Sequence, residues 1–273
     1  MREAVQARHH VTLMGEGAPV LVLAHGFGCD QRMWRHVAPA LAQDHRVVLF
    51  DHVGAGRSDA SVWRPERYAS LSDYGRDVIE IIESLQCGPV VFVGHSVSGS
   101  IGMLAAIARP DLFERLVMLC PNPCFINDPP YEGGFERADI MDLLELMDRN
   151  MSAWANFFAP VAMKNNDRPE LRQELQDSLC AGDPVIVRHF AQLVFLADVR
   201  AELPKLRVPS LILQGGDDSV APLSVGDYLH QQLAQSTLRR MSAPGHCPHM
   251  SHPQETVALI REYLADRYAG IQH

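Results

Sequence analysis

The segment Gly94-His95-Ser96-Val97-Ser98-Gly99 places a serine between a β-branched run, Val90 to Val93, and a stretch of small residues from Val97 to Ala108. A serine at such a strand-to-helix turn is held in a strained backbone conformation that aims its hydroxyl out of the sheet. Its neighbours must be small because strand and helix nearly touch. Gly94 and Ser98 meet that demand, although the usual pattern has glycine where Ser98 stands. A serine hydroxyl is a weak nucleophile, so it needs a base to take its proton and a carboxylate to orient that base. His246, in Ala243-Pro244-Gly245-His246, follows the strand-like Thr237 to Met241, and either Asp217 or Asp218 follows the apolar run Ser210 to Leu213. Parallel sheets gather ligands beyond the carboxyl ends of their strands, so residues this far apart in the chain can converge there.

His25-Gly26-Phe27-Gly28 comes directly after another apolar run, Val20 to Ala24. A loop of this kind supplies one backbone donor to a developing oxyanion, here the Phe27 amide, and the Val97 amide just after the serine supplies the second. His25 and His95 flank the site and are read as structural donors. His246, His249 and His252 recur every three residues, but Pro248 and Pro253 interrupt any regular helix that could present them as metal ligands. Cys120 and Cys124 enclose Pro-Asn-Pro, which fits no common zinc spacing. Gly54-Ala55-Gly56 lacks the third glycine of a dinucleotide site, and Asp51 with Arg57-Ser58-Asp59 is expected to organise a tight loop. We assign no metal and no cofactor.

The elements that must position these groups alternate short apolar runs with helical periods, the pattern of a mostly parallel α/β sheet with helices on both faces. Strands are expected at Val20–Ala24, Arg46–Asp51, Val90–Val93, Leu116–Leu119 and Ser210–Leu213. From Ser72 to Leu85, Tyr74, Val78, Ile81, Ile82 and Leu85 form a buried stripe, with Arg76, Asp77, Glu80 and Glu83 turned to water. Glu255 to Tyr268 reads as a closing amphipathic helix. Between Pro121 and Leu203 no strand is apparent, yet Ile140–Met147, Trp154–Phe158, Leu171–Leu179 and Val185–Leu196 have helical spacing, which predicts an inserted helical cap. We therefore expect a core of residues 1–121 and 204–273 and a cap of residues 122–203. Among the cap aromatics Trp154, Phe157, Phe158, Phe190 and Phe195, a few should line an apolar pocket.

The 273 residues, 47% hydrophobic and 21% charged, are enough for a sizeable core. With 33 acidic against 24 basic residues the formal charge is −9, and no basic cluster suits a nucleic acid. The first ten residues lack the apolar stretch of an export signal, and no apolar run reaches the roughly 18 residues that span a bilayer. A cytoplasmic chain without membrane contact is expected, its six cysteines reduced.

Over nearly its whole length the chain resembles the RsbQ-type bacterial stress-signalling hydrolases, relatives of the plant strigolactone and karrikin receptors in the α/β-hydrolase superfamily. The matching stretches are His25-Gly26-Phe27-Gly28-Cys29-Asp30-Gln31, Val93-Gly94-His95-Ser96-Val97-Ser98, Asn127-Asp128-Pro129-Pro130 with Gly133-Gly134-Phe135-Glu136, and Gly245 to Pro253. The resemblance implies a four-helix V-shaped cap over a hydrophobic pocket, pocket aromatics at Phe27, Phe135, Phe158 and Phe195, and Ser96, Asp218 and His246 as the triad. It also implies a small hydrophobic ligand, which the serine chemistry makes an ester or lactone, and a PP2C-type phosphatase partner downstream. We expect the pocket to be formed by Phe135, Leu143, Met147, Phe158, Phe195 and Ser219. Two functions follow: hydrolysis through an acyl-enzyme, or ligand sensing with slow or no turnover.

Overall fold

Three fully buried runs, Leu21–Ala24 (LVLA), Val47–Phe50 (VVLF) and Val90–His95 (VVFVGH), form the centre of the computed structural model, which describes residues 2–266. Strands buried on both faces read as continuous apolar runs, and this is the signature of a parallel sheet covered by helices. The order along the chain is α1 (Arg2–Arg8), β1 (Thr12–Met14), β2 (Leu21–Ala24), α2 (Ala38–Leu41), β3 (Val47–Phe50), α3 (Leu71–Leu85), β4 (Val90–His95), α4 (Val97–Ala108) and β5 (Phe113–Leu119). Four helices follow, α5 (Arg137–Arg149), α6 (Met151–Met163), α7 (Pro169–Leu179) and α8 (Pro184–Phe195). The chain then continues with β6 (Ser210–Gln214), α9 (Leu223–Gln232), β7 (Ser236–Arg240), α10 (Pro248–Ser251) and α11 (Pro253–Ala265).

The seven strands pair in the order β1-β3-β2-β4-β5-β6-β7, antiparallel between β1 and β3 and parallel elsewhere. The β2, β4, β6 and β7 ends therefore point the same way. In register, Ala24 stands beside Gly94 and His95 beside Leu119, which puts the loop after β2 next to the turn after β4. Helix α4 packs on β4, β5 and α3, and α9 packs on β6 and β7.

Helices α5 to α8 are an insertion between β5 and β6. Its two ends are drawn together by a bridge between Cys124 and Asp198 and by the Val199 amide, which donates to the Pro123 carbonyl at 2.9 Å. The insertion seats on glycines of the core. A Cβ on Gly28 would stand 2.3 Å from the Leu179 side chain, and one on Gly54 2.3 Å from that of Ile186.

Three features depart from the expectations. Strand β1 and helices α1, α2, α9 and α10 were not anticipated: β1 is three residues long, too short to show a period, α1 buries no residue, and α2 and α10 are four residues each. Asp77 is buried rather than turned to water, because the Tyr68 hydroxyl donates to it at 2.8 Å and Arg67, His9 and Arg8 lie within 4.0 Å. The closing helix begins at Pro253, and the expected extension over 267–268 lies outside the described residues.

Candidate active site

Ser96 caps the start of α4 with φ 55° and ψ −123°, a backbone conformation that costs a non-glycine residue free energy and persists only where the surroundings enforce it. They do so here. The Ser96 amide donates to the Leu119 carbonyl at 2.8 Å, and a Cβ on Gly94 would meet the Ser98 carbonyl oxygen at 2.4 Å. Strand and helix are that close, which is why position 94 is glycine.

Position 98 carries a hydroxyl, and the structure gives it work. Ser98 Oγ donates to the His25 carbonyl at 2.5 Å, so its one proton is committed and His52 Nε2, 2.8 Å away, must donate to it. This fully buried hydroxyl ties the turn after β4 to the loops after β2 and β3, a contact that glycine could not make.

His246 lies between the other two groups. Its Nε2 is 2.8 Å from Ser96 Oγ and its Nδ1 is 2.7 Å from Asp218 Oδ2, and all three residues are buried. Asp218 Oδ1 accepts from the amides of Val220 and Ala221 at 2.8 and 3.0 Å, which fixes the carboxylate plane. The structure thus brings Ser96, Asp218 and His246 into one hydrogen-bonded row. Asp217 is exposed and faces Lys164 at 3.4 Å, so Asp218 is the acid that meets His246.

The backbone of His246 is held as well. His95 Nε2 donates to its carbonyl at 2.7 Å, since a nitrogen facing a carbonyl must carry the proton. His25 Nε2 accepts from the His52 amide at 3.1 Å, so its Nδ1 carries the proton and donates to the Gly26 carbonyl at 2.9 Å. Burial pushes the pKa of His25 down, and those of His52 and His95 well down, so all three stay neutral. They act as spacers and donors. Val97 opens α4 directly after Ser96, and Phe27, in the loop after β2, lines the same cavity as Ser96.

Cys120 Sγ, an Asp218 oxygen and a His246 nitrogen lie within 4.8 Å of one another, close enough to share a metal ion. Two of those groups are already committed to each other, and burial raises the Cys120 thiol well above its ordinary pKa, which opposes the thiolate a metal would need. Cys29 and Cys247 line the cavity at Ser96, yet burial raises the Cys29 thiol to about 12 and the Cys247 thiol well above its ordinary value. Burial thus opposes the thiolate form of both. All six cysteines are free.

The cavity holding Ser96 and His246 measures about 30 Å³, room for a water or two, and is walled by Phe27, Phe125, Phe158, Val194, Phe195 and Val220. Of the expected pocket residues, Phe158 and Phe195 line it. Phe135, Leu143, Met147 and Ser219 do not. Phe135 lies one ring behind, 6.4 Å from Phe125, while Leu143 and Met147 lie on α5, which packs against α6 and α8. Helical spacing shows which face of a helix is buried but not against what. Phe125, Val194 and Val220 had no signal of their own in the sequence. A larger cavity of about 560 Å³ opens between the loops after β2 and β3 and the start of α8. It shares Phe27 and Cys29 with the smaller one but does not reach Ser96 or His246.

A strand-turn-helix serine with this sheet order defines a class, and the sequence comparison agrees: residues 21–259 match the model of the alpha/beta hydrolase family. The chain belongs to that family. It is 40% identical over 261 residues to the karrikin insensitive 2 receptor CA of Petunia hybrida, covering 95% of this chain and 97% of that one. It is 37% identical over 256 residues to a strigolactone esterase of Arabidopsis thaliana, covering 93% and 96%. Among solved structures, a hydrolase from Oleispira antarctica superposes with a TM-score of 0.94 at 40% identity, covering 97% of each chain.

Proposed function

We propose that this chain is a serine hydrolase of small hydrophobic esters or lactones, with Ser96 as nucleophile, His246 as general base and acid, Asp218 as its orienter, and the Phe27 and Val97 amides as oxyanion donors. The observation that carries the reading is the single imidazole in hydrogen-bond contact with both the strained serine and a backbone-anchored carboxylate. Ser96 Oγ adds to the carbonyl carbon as His246 Nε2 takes its proton. The alkoxide of the tetrahedral intermediate faces the two amides. The carbon–oxygen bond to the leaving group breaks with that proton returned from His246, leaving an acyl-enzyme. Water, deprotonated by the same imidazole, releases the acid. In a lactone the leaving hydroxyl stays on the acyl chain.

Residues 122–203 serve in this reading as a cap that excludes water, and the aromatic wall selects apolar acyl groups. Burst kinetics on p-nitrophenyl acetate test it. Wild type should show a burst that Ser96→Ala lacks, with the turnover of the variant reduced at least about 10³-fold. A rate unchanged in Ser96→Ala removes the serine from the mechanism.

The small volume at Ser96 and the likeness to proteins named as receptors favour a second reading, ligand sensing with slow release of the acyl group. In that case one equivalent of product forms and the adduct on the protein persists. The phosphatase-type partner implied by the RsbQ-type resemblance belongs to this reading, and ligand-dependent co-purification is its check.

A further inference from the structure

We infer that Asn165, just past the end of α6, is a positioning residue for His246, so that the insertion holds the general base in place as well as roofing the cavity. The inference rests on the triad reading above. Two contacts join the end of α6 to the histidine loop directly. The His246 amide donates to the Ala162 carbonyl at 2.7 Å, and Asn165 Nδ2 donates to the Pro244 carbonyl at 3.2 Å and to the Met163 carbonyl at 2.8 Å. Arg168 sets the direction of that amide: its Nη2 donates to Asn165 Oδ1, and its Nη1 donates to the Ser251 carbonyl at 2.6 Å, at the end of α10, the helix that follows the loop.

The backbone is bent to make these contacts. Lys164 and Asn165 both have positive φ, 53° and 44°, a strained pair that persists only because the surroundings over-determine it. Gly245, with φ 85°, completes the fit. A Cβ there would stand 2.5 Å from the Met163 carbonyl oxygen, so any side chain would force the loop and the helix end apart. Asn165 is itself buried. Because α6 also supplies Phe158 and Ala162 to the cavity wall, the element that touches the acyl group and the element that holds His246 are the same.

The test compares Asn165→Asp and Asn165→Gly in the full chain. Aspartate keeps the size but cannot donate, and glycine accepts the positive φ without strain while removing the amide. With p-nitrophenyl acetate both variants should lose about 10- to 100-fold in kcat, the range expected when a catalytic group is displaced by up to an ångström, with KM changed less than about threefold. Phosphonylation of Ser96 by a small fluorophosphonate should slow in parallel, because it needs the Ser96–His246 pair and little of the cavity. Asn165→Gly decides alone should Asn165→Asp fail to fold. A folded Asn165→Gly with kcat within threefold of wild type overturns the inference. Turnover that survives Ser96→Ala overturns the triad reading and this inference with it, whereas turnover that needs Ser96 but is indifferent to Asn165→Gly overturns this inference alone.

Discussion

Each side chain of the Ser96–His246–Asp218 row is held by hydrogen bonds to its neighbours. Asp218 faces His246 Nδ1 and is itself anchored by two amides, so Asp218→Asn should lower kcat about 10⁴-fold by favouring the wrong imidazole tautomer, measured with the same ester. Ser98→Ala leaves the His25 carbonyl and His52 Nε2 buried without their shared partner, and chemical denaturation should show a loss of about 1–3 kcal/mol. The neutral imidazoles also set the acid stability. His249 is fully buried between Trp34 and His95, and burial lowers its pKa to about 3. Between that value and 6.5 the unfolded chain binds a proton that the folded chain does not, so this contribution to stability is intact above 6.5 and is lost as the pH falls toward 3. Each such proton contributes about 1.4 kcal/mol per pH unit. Thermal melts of His249→Phe should therefore show a smaller drop in Tm from pH 7 to pH 5 than wild type.

At the scale of elements, the turn from β4 to α4 has the least room for change. Gly94→Ala should cost about 1–3 kcal/mol and reduce activity together, because its Cβ falls on the Ser98 carbonyl and the turn must open to relieve the clash. This element was readable in the sequence, since the chemistry demands small residues at fixed offsets from Ser96. The helix Leu71–Leu85 was equally readable from its stripe, with Ser70 and Asp73 forming a capping box at its start and Cys87-Gly88-Pro89 following its left-handed cap, Gln86. Strand β1 was not, because its position depends on pairing with β3 and its own residues are half buried or, at Leu13, exposed. Asp77 was misplaced for a related reason. A carboxylate on the polar side of a stripe looks solvated until Tyr68, Arg67 and His9 arrive from other parts of the chain.

At the scale of the whole molecule, the insertion and the sheet meet in an aromatic cluster in which Phe195 touches Phe27, Phe125 and Phe158 with ring centroids 5.4 to 6.0 Å apart. That cluster limits the cavity at Ser96. Phe195→Ala should enlarge it at a cost of about 3–5 kcal/mol in stability and raise kcat/KM for butyrate relative to acetate p-nitrophenyl esters. An unchanged acyl-chain preference in a folded variant would place the acyl group elsewhere, such as the larger cavity beyond Phe27. Among the described residues no helix is long and apolar enough to cross a membrane.

Local rules are written into short stretches of chain, and these the sequence determined by itself: the strained serine turn, the alternation of strands and helices, the helical insertion, and the identity of the serine and histidine that meet. Contacts made across long separations were decided only by the tertiary structure. Folding replaced Phe135, Leu143, Met147 and Ser219 in the cavity wall with Phe125, Val194 and Val220, and tied Asn165 to the histidine loop, while the acid that meets His246 is Asp218, the one the resemblance implied. The reason is physical. Backbone strain and periodicity act over a few residues, whereas which buried face meets which depends on how separate elements pack together.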